Sequence, residues 1–231
     1  MQQMDFFSEY KDETPLSTTS YFLHSPNTPP SGLPNLSKLL ELSINAYYTA
    51  IYAAMSELPI QEEITRFIEK VGKTTDRKAA DKAVSDRGDP DVLAVQKAAY
   101  KVQHEIHRLT GLLRFNPDDN GVYVARCGPD HFILPALAEH FTLRFGDTPW
   151  TIIDEKRRVC LCRDRGGEAR LVPADSVCTQ CPGAENGGAD DPWERLWLLY
   201  HRSVNNEGKK NLRLQRQLMP ERYHKYLPEM K

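Results

Sequence analysis

Gly111-Leu-Leu-Arg-Phe-Asn-Pro-Asp-Asp-Asn-Gly-Val-Tyr-Val-Ala-Arg-Cys127 is where the chain changes its period. Before Gly111 apolar residues recur at steps of three and four, the repeat of a helix face. After it, Leu112 to Phe115 and Val122 to Cys127 are short apolar runs on either side of a polar turn that ends in Asn120-Gly121, a hairpin signal. A helix that runs straight into a hairpin predicts an α+β chain with an antiparallel sheet, rather than the regular alternation of a parallel one.

The helix upstream is the plainest in the sequence and is expected over 90–110. Asp89 suits the N-cap, Pro90 the first helical position and Thr110-Gly111 the stop. Val92, Val95, Ala99, Val102, Ile106 and Leu109 form its inward stripe, and Lys97, Lys101, His104 and Arg108 its outward basic ridge, read as a solvated face. Further back, Ile64, Phe67, Ile68 and Val71 mark a short helix, and Leu40, Ile44, Tyr47, Ile51, Ala54 and Leu58 the face of an earlier one. Residues 72–89, rich in charge and poor in apolar side chains, read as a solvated loop or a weak helix.

Downstream, a helix is expected from about Pro135 to Phe145, with Leu134, Leu137, Ala138, Phe141 and Phe145 inward and His140 and Arg144 outward. Trp150 to Asp154 and Arg157 to Cys162 read as a second hairpin, and Ala169 to Val172 as a third strand. The Gly/Pro-rich stretch 173–190 is a long loop. Asp191-Pro-Trp-Glu194 has the form of a capping box, and Trp193, Leu196, Trp197, Tyr200 and Val204 then form an apolar stripe. The expected organisation is a loop-rich arm over 1–35, without sustained periodicity, and one α+β domain over 36–231. N-terminal helices pack there with a hairpin-helix-hairpin sheet, and helices close the chain.

Composition bounds the function. The chain has 231 residues, with 30 Lys+Arg against 32 Asp+Glu, so no global positive field marks a nucleic-acid binder. Residues 1–100 hold 10 basic and 14 acidic side chains, whereas 193–231 hold 9 basic and 4 acidic, so the C-terminal segment is suited to an anionic partner. No apolar run of membrane-spanning length occurs, and the N-terminus lacks a basic region followed by an apolar one, so a membrane span and a secretory signal are not expected. Five cysteines, an odd count, fit a reducing, cytoplasmic setting better than a disulfide framework.

No P-loop, dinucleotide glycine fingerprint, nucleophile elbow, H-E-x-x-H or iron-sulfur C-x-x-x-C-x-x-C run is present. Cys160-x-Cys162 and Cys178-x-x-Cys181 together could close a tetrahedral zinc site, set against four incidental thiols. His107 and His140 are candidate general bases, set against hydrogen-bonded structural histidines, and Asp154 is a candidate orienting group, set against a turn residue with a salt-bridge partner. The last segment mixes Lys209, Lys210, Arg213, Arg216, Arg222 and Lys225 with Asn211, Gln215 and Gln217 and with Tyr223, His224 and Tyr226. Cations neutralise phosphates, amides read base edges and rings stack on exposed bases.

Four ordered blocks resemble one bacterial family: Glu105-Ile-His-Arg-Leu-Thr-Gly-Leu-Leu-Arg-Phe115; Pro129-Asp-His131 through His140-Phe141 to Arg144-Phe145; Trp150-Thr-Ile-Ile-Asp-Glu-Lys-Arg157; and Lys210-Asn-Leu-Arg-Leu-Gln-Arg-Gln-Leu-Met-Pro-Glu-Arg-Tyr223. The family is a domain of unknown function described as a DNA metabolism or DNA repair protein. It is similar to the domain fused ahead of some uracil-DNA glycosylases and encoded beside a radical SAM protein with a proposed DNA repair role. The resemblance covers roughly residues 38–231. The first 35 residues and the four cysteines depart from the family's pattern, and His224 stands where a Trp is common.

The resemblance implies a DNA-linked role without naming a reaction. A cytoplasmic, nucleoid-associated protein is expected that binds DNA, or presents a damaged nucleotide to a radical SAM protein or a uracil-DNA glycosylase. Arg108, Arg114, Arg144, Lys156, Arg157, Lys210, Asn211, Gln215, Arg216, Arg222 and Tyr223 are the expected nucleic-acid contacts, and His107, Arg108, Arg114, His140, Arg144, Asp154, Lys156 and Arg157 are expected to converge on one face with Asn211, Gln215, Arg216, Arg222 and Tyr223. Two alternatives stand beside it: an enzyme acting on DNA or a nucleotide with a His base, and a protein-protein adaptor stapled by zinc.

Overall fold

Asp89 places its Oδ1 on the backbone N–H groups of Asp91 (2.9 Å) and Val92 (3.1 Å), satisfying two donors that a helix start leaves open. From there the longest helix runs over Pro90–Leu112. The computed structural model describes residues 16–17, 33, 36–175, 192–209 and 211–230. In chain order the elements are β1 (Leu16–Ser17), α1 (Leu36–Leu42), α2 (Ile44–Ala54), α3 (Gln61–Gly72), α4 (Arg77–Val84), α5 (Pro90–Leu112), β2 (Phe115–Pro117), β3 (Tyr123–Cys127), α6 (Leu134–Phe145), β4 (Trp150–Asp154), β5 (Val159–Arg163), β6 (Arg170–Pro173), α7 (Pro192–Val204) and α8 (Leu212–Leu218). Short 3-10 turns at Glu207–Lys209, Glu221–Tyr226 and Pro228–Met230 complete the C-terminal end. The order is α+β, as the sequence predicts.

Two compact units divide the chain: one takes the residues up to His107 together with Asp130–Leu137, the other Arg108–Pro129 together with Ala138–Lys231. From Leu36 on, the regular elements of the first are all helices. The face predicted to run unbroken from Leu40 is interrupted at Ser43, whose hydroxyl accepts from Ala46 N (3.2 Å) and donates to Asp81 (2.6 Å). That cap resets the phase. Tyr47, Ala50, Ile51 and Ala53 are buried, while Ile44, expected inward, is 62% exposed. The charged stretch 72–89 does contain a helix, α4, started by Asp76 on Ala79 N (2.8 Å) and held by buried Ala80 and Val84. The stripe Ile64, Phe67, Ile68 and Val71 is buried as expected, as are Val92, Val95, Ala99, Val102 and Leu109 of α5.

The second unit is built on the strands β6-β5-β4-β3-β2, in that spatial order. Three of the four pairings are antiparallel, but β3 and β4 run parallel, from Tyr123 opposite Trp150 to Cys127 opposite Asp154. The sheet is therefore mixed rather than antiparallel throughout. The reason is the connection: α6 lies between β3 and β4, and a helical crossover returns the chain in the same direction, whereas a tight turn reverses it. Gly121, at φ +76°, supplies the left-handed residue of the β2–β3 turn, and Asp118 Oδ1 accepts from Asn120 N (2.9 Å) and Val122 N (2.8 Å). All residues of β4 and β5 are buried. Phe141 of α6 packs on Trp150 with ring centroids 6.2 Å apart, on the sheet face that also carries Ile152. The opposite face gathers Ile153, Cys160, Cys162 and Ala174, with Val124 and Val172.

On the α7 stripe Leu196, Tyr200 and Val204 are exposed, as is the neighbouring Leu199. Their helical period is as read, but period alone reports that a face is apolar, not that something lies on it. No helix among the described residues is long and apolar enough to cross a membrane.

Candidate functional site

A cleft of about 430 Å³ in the second unit is assembled by five separate pieces of chain. The end of α5 and the turn after it supply Gly111, Leu113 and Arg114; β2 and β3 supply Phe115, Asn116 and Tyr123; the end of α6 supplies Arg144 and Phe145. Glu194 and Trp197 come from α7, and Pro228 from the C-terminal turn. The floor is aromatic: Phe115 meets Phe145 at 4.8 Å and Phe141 at 5.0 Å, and Tyr123 meets Phe145 at 5.3 Å. The sheet edge and the last turn of α6 leave Phe115, Tyr123 and Phe145 half-buried, whereas Phe141 is fully buried.

Arg114 organises the rim. Its Nη1 donates to Gly111 O (2.9 Å), an open carbonyl at the end of α5, and its Nη2 to Glu229 Oε1 (2.6 Å). Its guanidinium carbon stands 5.1 Å from the centre of the Trp197 ring, and the Trp197 indole N–H donates to the other oxygen of Glu229 (2.9 Å). One carboxylate thus fixes a cation and a ring together. Burial by itself would push the Glu229 carboxyl up, but the hydrogen bonds from Arg114 and Trp197 outweigh it and hold the group below the usual carboxylate range. Arg144 is different. It is exposed, its guanidinium carbon lies 5.9 Å from the Phe145 ring centre, and no carboxylate pairs with it among the described residues.

The remaining expected contacts do not join this cleft. Arg108 donates to Gln217 O (3.4 Å). Asn211 caps α8 through Leu214 N (3.0 Å), and Gln215 reaches Met230 Sδ (3.5 Å). Arg216 lies 3.8 Å from Glu221, and Arg222 stacks on Tyr223 at 4.7 Å and donates to its hydroxyl. Tyr223 is itself buried, so its ring serves the fold. Lys156 is exposed in the β4–β5 turn, and Lys210 lies outside the described residues. Of the expected contacts, Arg114 and Arg144 are the described residues that line this cleft.

The acid-base candidates are also dispersed. Asp154 is 0% exposed, at the end of β4; Oδ1 accepts from Lys156 N (3.0 Å) and Arg157 N (3.2 Å), and Oδ2 from Arg157 Nη1 (2.8 Å). Arg157 Nη1 also donates to Pro129 O (3.1 Å), so the pair fixes the β4–β5 turn to the end of β3. Burial pushes the Asp154 carboxyl up, against the opposing pull of Arg157. His140 is exposed with its ring edge-on to Phe141 (4.8 Å), and His107 is exposed in the first unit. Cys160 and Cys162 are buried on one face of β5, where donation from the Cys160 thiol lowers the Cys162 thiol. Cys178 and Cys181 lie outside the described residues, and among the described residues no three His, Cys, Asp or Glu side chains are grouped to hold a metal.

Trp197, Tyr123, Asn116 and Glu194 line the cleft, and Glu229 holds Trp197 and Arg114, although none of them is a site residue expected from the sequence. Trp197 carried a signal, since it sits on the α7 stripe, but that stripe reads as a core face. Glu229 carried none, because its role depends on a partner 115 residues away. No curated protein and no solved structure matches the chain. The four blocks nevertheless fall within a single match over residues 60–229, covering α3 through the C-terminal turn, and the chain belongs to the family described as Domain of unknown function (DUF4130).

Proposed function

We propose that this chain is a DNA repair or DNA metabolism protein of the cytoplasm that binds DNA at the nucleoid, or presents a damaged nucleotide to a partner enzyme such as a radical SAM protein or a uracil-DNA glycosylase. The observation that carries this reading is the meeting of Arg114 and Arg144 with Tyr123, Phe145 and Trp197 in one cleft. Cations beside exposed rings are the combination that nucleic acid, with its charged backbone and flat bases, can use. The four block resemblances support the DNA connection.

The test is fluorescence anisotropy of the full chain with labelled single-stranded, duplex, uracil-containing and abasic oligonucleotides across a salt series. Binding that weakens as salt rises, and weakens again in Arg144→Ala, is the expected result. Absence of binding to all four oligonucleotides at about 50 mM salt, where phosphate contacts are strongest, overturns the reading.

A further inference from the structure

We infer that the cleft holds a single unstacked nucleotide of a single strand, with one phosphate on Arg144 and the base against the aromatic wall. This rests on the nucleic-acid reading above and narrows it to a ligand class.

Size and charge point the same way. About 430 Å³ is at the small end of small-molecule sites and accommodates one base with its sugar. A stacked duplex offers only base edges and backbone, and its base faces cannot reach Tyr123, Phe145 or Trp197 unless a nucleotide leaves the stack. Of the two cleft cations, Arg114 is already paired with Glu229 at 2.6 Å, and Glu194 places a carboxylate in the lining itself. The formal charges of Arg114, Arg144, Glu194 and Glu229 cancel. Such a site neutralises one phosphate at most, through Arg144, whereas a groove that tracks a duplex needs a row of uncompensated cations.

The ring wall is also set before any ligand arrives. Glu229 on the indole N–H and Arg114 over the ring restrain Trp197, and Phe115 and Phe145 restrain each other. Ordering costs that would otherwise oppose binding are therefore already met by the fold. Asn116 lies in the same lining, and its amide offers a donor and an acceptor to a base edge.

The experiment uses the full chain and a 12-nucleotide DNA strand carrying one 2-aminopurine, free, paired in a duplex, or paired opposite an abasic site. Stacking quenches the probe, so the expected result is added quenching on the free strand and opposite the abasic site, with the intact duplex bound at least tenfold more weakly. Trp197→Ala should remove part of the quenching and weaken binding about 5- to 150-fold, the range found for loss of one base–ring stack, while Trp197→Phe keeps both within about threefold. That pair separates stacking from the indole hydrogen bond and from simple misfolding. Arg144→Gln should lower the slope of log K against log salt by about 0.7, one single-strand phosphate. Equal affinity for duplex and single strand, with quenching untouched by Trp197→Ala, would place DNA elsewhere and sink this inference while leaving DNA binding intact. No binding of any strand removes both.

Discussion

Replacing Glu229 tests whether one carboxylate holds the cleft wall together. The side chain is 3% exposed and its ion-pair partner Arg114 25%, so the 2.6 Å hydrogen bond is largely shielded from solvent. A charge-assisted hydrogen bond of this kind contributes about 1.5–3 kcal/mol. The Trp197 N–H bond adds about 1 kcal/mol or less, because Trp197 is 36% exposed and water can replace part of it. Glu229→Ala should therefore destabilise the second unit by about 3 kcal/mol, and Glu229→Gln, which keeps one acceptor, by about half as much. With a urea slope of about 1–3 kcal/mol per molar, the alanine variant moves the midpoint by about 1–3 M. Tryptophan fluorescence is the right probe, since the chain's three tryptophans, Trp150, Trp193 and Trp197, all fall in the second unit. Because the folded carboxyl is held below its usual range, its contribution is full above the usual carboxylate pKa and fades as pH falls through the lowered value. The gap between wild type and Glu229→Gln should accordingly be flat near neutrality and shrink in acid. A Glu229→Ala midpoint within experimental error of wild type would refute the claim that this carboxylate organises Arg114 and Trp197.

Three further substitutions probe the frame around the cleft and the other unit. Glu105, only 2% exposed, accepts from the backbone N–H groups of Asp130 and His131, both at 2.8 Å, so Glu105→Ala should cost about 2–5 kcal/mol in the first unit, read as an earlier loss of helical circular dichroism; an unchanged transition would remove Glu105 from that role. At Gly128 an added Cβ would stand 2.7 Å from the Tyr226 hydroxyl but 3.7 Å from its ring carbon. Gly128→Ala should therefore destabilise the wild type by about 1–3 kcal/mol and be nearly neutral in a Tyr226→Phe background, a coupling that a double-mutant cycle measures directly. Asp154→Ala, which strands the buried Arg157, should cost about 3–5 kcal/mol. Since burial raises the Asp154 carboxyl, this group by itself makes stability decline as pH rises from the usual carboxylate value through the raised one; Asp154→Asn should abolish that decline, and an unaltered pH profile would argue against it.

How much of the fold is legible in the sequence depends on whether the signal is local. Asp89-Pro90 and Asn120-Gly121 act through their own neighbours, so α5 and the β2–β3 turn follow from the string of residues. Ser43 shows the limit. It reads as one more polar position on a helix wheel, yet its hydroxyl bonds Ala46 N and Asp81, and that choice splits α1 from α2 and turns Ile44 outward. The parallel β3–β4 pairing was hidden for a related reason. Both strands are readable, but their relative direction is set by α6 between them, and a strand's own alternation carries no direction.

The same distinction sorts the cationic side chains. Charge in a sequence says that a residue can meet an anion, and a folded chain supplies many anions of its own: Asp154 takes Arg157, Glu229 takes Arg114, and backbone carbonyls take Arg108. A basic residue becomes available to a ligand only when the fold brings it to a concave surface without a carboxylate beside it. Among the described members of the expected DNA-contact set, Arg144 meets that condition at the cleft, because it sits in the last turn of α6 with a ring rather than an acid as its neighbour. The aromatic wall arises from the opposite logic. Tyr123, Phe145 and Trp197 are residues whose periodic placement announces a core, and they line the cleft because core packing stops short at the sheet edge. A site formed where the core ends is written in the same apolar pattern as the core itself, which is why the sequence displayed its residues without distinguishing them.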